Sequence, residues 1–408
     1  MGGKLTGACV FAQSGGPTSV INASAYGVIS AALRSEAITA VYGAAHGILG
    51  ILGDTLYDLG REDPRELELL QYTPSSELGS SRVKLKDEEQ YARILETFKK
   101  HNVRYFFYNG GNDSMDTCDK VSRFLEREGY ECRVIGVPKT IDNDLVGTDH
   151  CPGYGSAAKY IATSIAEVYK DTHAYNTGAV TVVEIMGRNA GWLAGAAALA
   201  SLSGCPPDLL YLPEIPFELD AFTDRVKRVC GEKNKCLIAV SEGIRYPDGS
   251  FVSDAPVSAA DGFGHAQLGG LAAILADAVK RATGVKVRAI ELSLLQRCGA
   301  HIASQTDIEE ARLAGAAAVE SAISGMSGKM IAFERENSGG GYACRIVHQP
   351  LAMTANAEKK VPLDWIDPER CSVRSEFYDY ALPLIQGEPS RPLENGLPRF
   401  ARLKKIRV

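Results

Sequence analysis

Nowhere does this chain carry G-x-x-x-x-G-K-[ST], the glycine-rich turn and lysine with which many proteins cradle nucleotide phosphates. The pairs Gly153-x-Gly155 and Gly262-x-Gly264 lack the third glycine of a dinucleotide fingerprint. Any phosphate must therefore be held another way. C-x-x-C pairs are missing too, and none of the ten cysteines stands at finger-like spacing to a histidine. That removes zinc modules and leaves reduced thiols of a cytoplasmic protein as the plain reading. Long apolar runs are also absent: the alanine-rich stretch from Trp192 to Leu202 falls short of the roughly 18 residues of a spanning helix. No signal-peptide pattern is present. Met1-Gly2 with Thr6 fits the myristoylation pattern, but a motif so short recurs by accident. Positive charge is not in excess either. The net charge of -6 speaks against bulk nucleic-acid binding, and a cleft for anionic substrates needs its own cluster of Arg and Lys. There is no repeat of solenoid period.

At 408 residues the chain exceeds what one core usually fills, so two lobes with a cleft between them are expected. Its composition, 45% hydrophobic and 23% charged, is that of an ordinary globular protein. Strands alternate with helical patterns. A strand at Ala8–Ala12 runs into Gly15-Gly16-Pro17 and a helix from about Thr18 to Arg34, with the proline where helix N-termini tolerate it. Tyr105–Tyr108 is followed by a helix with Cys118, Val121 and Leu125 on one face. Val134–Val137 precedes a helix for which Ser156 is the expected N-cap and Ile161, Ile165 and Val168 the buried stripe. Ala179–Ile185 and Cys236–Val240 are further β-type runs. This order means βαβ units and mostly parallel sheets, whose ligands bind beyond the carboxyl ends of the strands.

The unusual loops fall at those ends. Gly110-Gly111-Asn112-Asp113-Ser114 and Pro138-Lys139-Thr140-Ile141-Asp142-Asn143-Asp144 set carboxylates, amides, an ammonium and bare glycine backbone after two consecutive apolar runs. In-line phosphoryl transfer to a hydroxyl needs such a set: a proton acceptor, a metal or phosphate cradle and a fixed cation. Asp142 is the candidate general base; an Asx-turn or capping network is the alternative. Gly15-Gly16 ahead of a helix reads equally as an anion site or as a tight turn. Arg188 after Met186-Gly187 offers a fork for phosphate oxygens, and Arg288 and Arg297 add charge further along. Glu242, between a strand end and Gly243, is placed either to accept bonds from sugar hydroxyls or to cap. From about Asp364 the texture turns to Pro, Arg and aromatic residues, closing on Arg399, Arg402, Lys404, Lys405 and Arg407; this basic end reads as a segment packed on its own acidic protein.

Taken together, Gly15-Gly16, Gly110–Ser114, Pro138–Asp144, Met186-Gly187-Arg188, Glu242 and Gln296-Arg297-Cys298-Gly299 resemble the 6-phosphofructokinase family, most of all its pyrophosphate-dependent branch, from about residue 8 to residue 330. The resemblance implies an α/β phosphofructokinase fold of two Rossmann-like lobes, mostly parallel sheets flanked by helices, with the active site in the cleft. The phosphoryl-donor lobe would be 1–145 plus about 298–365, the sugar-phosphate lobe 146–297 and a C-terminal extension 366–408. It also implies roles. Asp142 would take the proton from the 1-hydroxyl of fructose 6-phosphate while Thr140, Arg188 and Lys139 steady the phosphoryl group. Ile141, Met186, Gly187, Glu242, Leu294 and Arg297 would line the sugar site, Leu294 standing where relatives carry Tyr or His, and Arg288 would reach the 6-phosphate across a subunit boundary of a homodimer or homotetramer. Ala179 stands where bacterial ATP-using relatives place an arginine for that phosphate. Gly15, Gly111 and Arg82 would meet the donor phosphates, and Asn112 and Asp144 the Mg²⁺, with Asn112 where the family commonly has aspartate.

Donor choice rests on two positions. In the ATP-using branch the residues matching Asp113 and Lys139 are both glycine; here bulk and like charge at Asp113 oppose ATP, and Lys139 sets an ammonium beside pyrophosphate. The resemblance therefore implies pyrophosphate as donor, in a reversible step of glycolysis and gluconeogenesis. An ATP-dependent phosphofructokinase and a non-catalytic sugar-phosphate sensor are the two rivals.

Overall fold

The structure is a computed structural model that describes residues 5–253, 270–336, 341–355 and 357–408. Gly262-x-Gly264 and Met1-Gly2 lie outside the described residues. In chain order the main strands are β1 (Gly7–Gln13), β2 (Ile38–Ala44), β3 (Leu56–Asp58), β4 (Val103–Gly110), β5 (Arg133–Pro138), β6 (Ala179–Ile185), β7 (Leu209–Tyr211), β8 (Lys235–Ser241), β9 (Lys286–Glu291), β10 (Lys329–Glu336) and β11 (Ala343–Pro350). They form two sheets, ordered β11-β10-β5-β4-β1-β2-β3 and β7-β8-β6-β9. Only the β2–β3 and β10–β11 pairs, at the two edges of the larger sheet, are antiparallel. The inner strands β1, β6 and β8 are buried along their whole length. That is why they read as continuous apolar runs rather than as alternation.

Helices cover both faces of each sheet. In the larger one, Phe11, Tyr105 and Phe107 pack on one side and Phe106, Tyr108 and Phe98 on the other. In the smaller, Val183, Ile185, Ile161 and Trp192 face one helical layer while Val180, Val182, Phe222 and Leu275 face the second. Each such aromatic or branched side chain contributes up to about 1.5–3 kcal/mol by leaving water. The helices Ile21–Leu33 and Gln305–Ile323 cross at close range. A Cβ at Gly27 would lie 2.1 Å from Arg312 O, and one at Gly315 would lie 2.1 Å from Ser24 O.

Two local expectations are corrected. The first helix begins at Ile21, not Thr18, because the Thr18 carbonyl is taken by Ser75 N at 3.0 Å and the chain turns once more before the helical ladder starts. Ser156 is not an N-cap. The helix Tyr154–Thr172 has Gly153, with φ 108, as its N-cap residue, and Asp307 caps it from across the fold, accepting from Gly153 N and Ser156 N at 2.9 Å each. The stripe Cys118/Val121/Leu125 is buried as expected, as are Ile161 and Ile165, while Val168 is only partly buried at the edge of its cluster.

The C-terminal segment lies across both sheets. Its strand Ser372–Val373 sits beside β7, and Leu210 N donates to Cys371 O at 2.8 Å. Further on, Arg399 pairs with Glu66, Arg402 with Glu394, and Lys405 Nζ lies 2.9 Å from Glu77. Val408 N closes on Leu56 O at 3.1 Å, beside β3. The basic end is thus packed on the protein's own acids. Among the described residues no helix is long and apolar enough to cross a membrane.

Candidate active site

A cavity of about 590 Å³ opens where the carboxyl ends of β1, β4 and β5 face those of β6 and β8. In the larger sheet this lies at the β1–β4 boundary, where the strand order reverses and the following loops splay apart. Among the described residues, five cationic side chains line it, Arg82, Lys84, Lys139, Arg188 and Arg297, together with five carboxylic acids, Asp113, Asp142, Asp144, Glu242 and Glu358. What matters is how the two kinds are sorted.

Cations gather at the Gly15–Gly16 turn. Lys139 Nζ donates to Gly16 O at 2.7 Å; a Cβ on Gly16 would lie 3.1 Å from an Arg297 nitrogen and 3.3 Å from one of Arg82, and a Cβ on Gly15 3.3 Å from Lys139 Nζ. Burial, opposed by Asp142 and reinforced by Arg82 and Arg297, brings the Lys139 ammonium down to about 8. Burial, with Arg82 beside it, also lowers Arg297. Like charges crowded on bare backbone are stabilised by an anion between them. The helix that follows this turn in the chain starts only at Ile21, so the cationic side chains rather than that helix end would hold an anion there. The free helix end is elsewhere: Gly111 is the N-cap of Asn112–Arg127 with no side-chain cap, so that N-terminus offers amides to a phosphate.

The carboxylates gather on the loop after β5. Asp142 N donates to Thr140 Oγ1 at 3.1 Å, and Asn143 sits at φ 56, held by Nδ2 to Tyr380 Oη at 2.6 Å and Oδ1 from Cys151 N at 2.9 Å. The C-terminal helix Ser375–Ala381 therefore clamps the loop that presents Asp142. Burial raises Asp142, with Lys139, Arg82 and Arg297 opposing and Glu358 adding to the rise. Asp144 is pushed up to about 7 by burial, by Asp142 and by Glu358. Asn112 Nδ2 donates to Asp144 Oδ2 at 3.1 Å, while Asn112 Oδ1 is buried with no partner.

The smaller sheet supplies the opposite wall. Gly187 has φ 138, and a Cβ there would meet Ala190 O at 2.8 Å, so only glycine suits. Its N–H donates to Glu242 Oε1 at 3.3 Å. Burial raises Glu242 to about 7 against that bond, helped by Asp142 and Glu184. Met186 N donates to Gln296 Oε1 at 3.2 Å, and the Arg188 guanidinium lies 5.6 Å from the Phe251 ring centre.

Of the residues singled out from the sequence, Gly15, Arg82, Gly111, Asn112, Asp113, Lys139, Thr140, Ile141, Asp142, Asp144, Met186, Arg188, Glu242 and Arg297 line this one cavity. Gly187 stands just behind its wall. Arg288, on β9, and Leu294, 53% exposed, do not line it. Pro17 and Ser114, within the singled-out loops but given no role there, also line it, as do Lys84 and Glu358, which were not anticipated. Lys84 is two residues from Arg82 in one extended run, a signal available in the sequence; Glu358 belongs to no motif and arrives from the far end of the chain.

The phosphofructokinase family model matches residues 8–322. The pyrophosphate--fructose 6-phosphate 1-phosphotransferase of Halomonas elongata is 46% identical over 98% of this chain and 96% of its own length. The protein of the same name from Methylococcus capsulatus is 43% identical with the same coverage. The crystal structure of a pyrophosphate-dependent phosphofructokinase from Nitrosospira multiformis superposes with a TM-score of 0.90 at 40% identity, over 98% of this chain and 97% of that one.

Proposed function

The chain belongs to the phosphofructokinase family, and from that premise we propose that it moves a phosphoryl group from inorganic pyrophosphate to the 1-hydroxyl of D-fructose 6-phosphate, reversibly. The products are fructose 1,6-bisphosphate and phosphate. The observation that carries the donor is the pair of side chains filling the donor end. Lys139 is buried there with its ammonium on Gly16 O, and Asp113 lines the same cavity at the start of its helix. In this reading they leave a cradle for two phosphates and take up space that a nucleoside would require.

In this reading the donor phosphates lie on the Gly15–Gly16 turn and the Gly111 helix end, among Arg82, Lys139 and Arg297. Asp142 accepts the proton of the attacking hydroxyl; its burial raises its basicity for that task. As the bridging P–O bond breaks, Lys139 and Arg188 offset the charge that grows on the leaving phosphate and on the transferring group. Thr140 holds the loop by its bond to Asp142 N. Met186, Gly187 and Glu242 bound the sugar.

Asn112 Oδ1, buried without a partner, and the Asp144 carboxylate, to which the same amide donates through Nδ2, are hard oxygen donors on neighbouring side chains, and they fit Mg²⁺. When bound, that ion would neutralise pyrophosphate oxygens and raise the electrophilicity of the transferred phosphorus. We assign the larger sheet with 298–365 to the donor and 146–297 to the sugar phosphate, with 366–408 as the extension that clamps the catalytic loop. Arg288 and Leu294, away from the cavity, are assigned to a homodimer or homotetramer in which Arg288 serves the neighbouring protomer. Ten cysteines without a disulfide support a cytoplasmic setting.

Initial rates with pyrophosphate and ATP, each against fructose 6-phosphate and sedoheptulose 7-phosphate, test the proposal. Saturable turnover with ATP at an efficiency comparable to pyrophosphate would refute the donor, and preference for the seven-carbon sugar would refute the acceptor.

A further inference from the structure

Asp113 poses a difficulty for the donor it is thought to select. A bare carboxylate at the donor end repels pyrophosphate as well as ATP, since both are polyanions. The structure supplies the answer in a residue outside the motifs: Lys84 Nζ lies 2.9 Å from Asp113 Oδ1. Both line the cavity, with side chains 45% and 21% exposed, at its solvent side. Deeper in stands Lys139, 3% exposed, with its ammonium on the Gly16 carbonyl.

We propose that Lys84 is a donor-selecting residue: its ion pair with Asp113 bars the solvent end of the donor site as a filled but electrically neutral obstacle. The inference rests on the pyrophosphate reading and deepens it. Bulk excludes the longer triphosphate, while neutrality lets the short diphosphate settle at the cationic turn without opposition. Selection against ATP is thus mainly steric, and Lys84 acts on the donor through Asp113 as a positioning residue. Losing Lys84 turns the bar into a bare negative charge beside the donor. Losing Asp113 instead opens the bar while the Lys84 cation stays on the cavity wall.

The test uses the full chain with Lys84→Met, Lys84→Arg, Asp113→Gly and the double variant Lys84→Met/Asp113→Gly. Wild-type rates with both donors come first; a wild type that uses ATP as well as pyrophosphate sinks the functional reading itself. With that reading intact, Lys84→Met is expected to raise KM for pyrophosphate about tenfold, about 1.4 kcal/mol, with kcat and KM for the sugar phosphate within about twofold. Lys84→Arg restores the parental KM. ATP use gained in Asp113→Gly falls again in the double variant. Calorimetric binding of imidodiphosphate, a donor analogue that needs no turnover, follows the same order. An unchanged KM and affinity in Lys84→Met, or an equal fall in kcat for both substrates without rescue by arginine, overturns the inference. So does ATP use in Lys84→Met matching that of Asp113→Gly.

Discussion

Replacing Lys139 by methionine separates what this side chain does for the reaction from what it does to the fold. Lys139 is 3% exposed, and its ammonium titrates at about 8 rather than the ordinary 10.5 because burial, Arg82 and Arg297 disfavour its charge more than Asp142 and Asp144 favour it. Holding it charged at neutral pH therefore costs the folded state about 3 kcal/mol. Methionine preserves the length and removes that cost, while loss of the bond to Gly16 O offsets about 1.5 kcal/mol. The variant is expected to be more stable than the parent by about 1–2 kcal/mol at pH 7, seen as a rise of a few degrees in melting temperature. The sign with pH follows. The folded pKa lies below the unfolded one, so the unfolded chain binds more protons between them and parental stability climbs from pH about 8 toward 10.5. The gap between the two proteins is complete below pH 8 and closes above it. Catalysis moves the other way: losing a preorganised cation at the transferring phosphate lowers kcat by about 10²–10³. Thermal melts across pH, with pyrophosphate-dependent turnover on the same samples, read both effects. A methionine variant that keeps turnover within about threefold, or that is less stable than the parent at pH 7 with no narrowing at pH 10, refutes the reasoning.

Other outcomes follow from the same geometry. The kcat/KM for pyrophosphate should fall above pH about 8 as Lys139 loses its proton, and Lys139→Arg should move that limb to higher pH; a flat profile through pH 9.5 counts against the assignment. Asp142→Asn is expected to lower kcat by about 10²–10⁴ with substrate affinities nearly unchanged, and retained turnover removes Asp142 as base. Chelation should abolish turnover and added Mg²⁺ restore it, while Asn112→Asp should tighten binding of the ion measured by calorimetry, because a charged oxygen replaces an amide; no change in affinity argues against Asn112 as ligand. Gly315→Ala should destabilise the fold by at least about 2 kcal/mol through collision with Ser24 O, with KM values intact in the surviving protein; a neutral melt contradicts the close helix crossing.

The parallel sheets were legible because their strands are buried on both faces and bounded by helices with clear stripes such as Cys118/Val121/Leu125. The cavity was legible because its residues sit in loops spending charge and glycine directly after those strands. What stayed hidden depends on distance along the chain. Asp307 caps a helix some 150 positions away in place of Ser156, and no local pattern announces that. Tyr380 orders the Asp142 loop from a segment whose composition suggested only an appended tail, and Glu358, in no motif, enters the field of Asp142 from some 200 positions further along the chain. The first helix was misplaced by three residues because proline tolerance is a permission, and the Thr18 carbonyl had a better partner in Ser75.

The central claim is that the donor end holds a diphosphate and has no room for a nucleoside triphosphate. Its most direct test is structural: crystals grown separately with imidodiphosphate and with a non-hydrolysable ATP analogue, Mg²⁺ present in both. The account expects imidodiphosphate on the Gly15–Gly16 turn with Lys139 against it and Lys84 still on Asp113, and no ordered nucleotide in the second crystal. Adenine nucleotide seated beside Asp113 and Lys139, with neither side chain displaced, would contradict it.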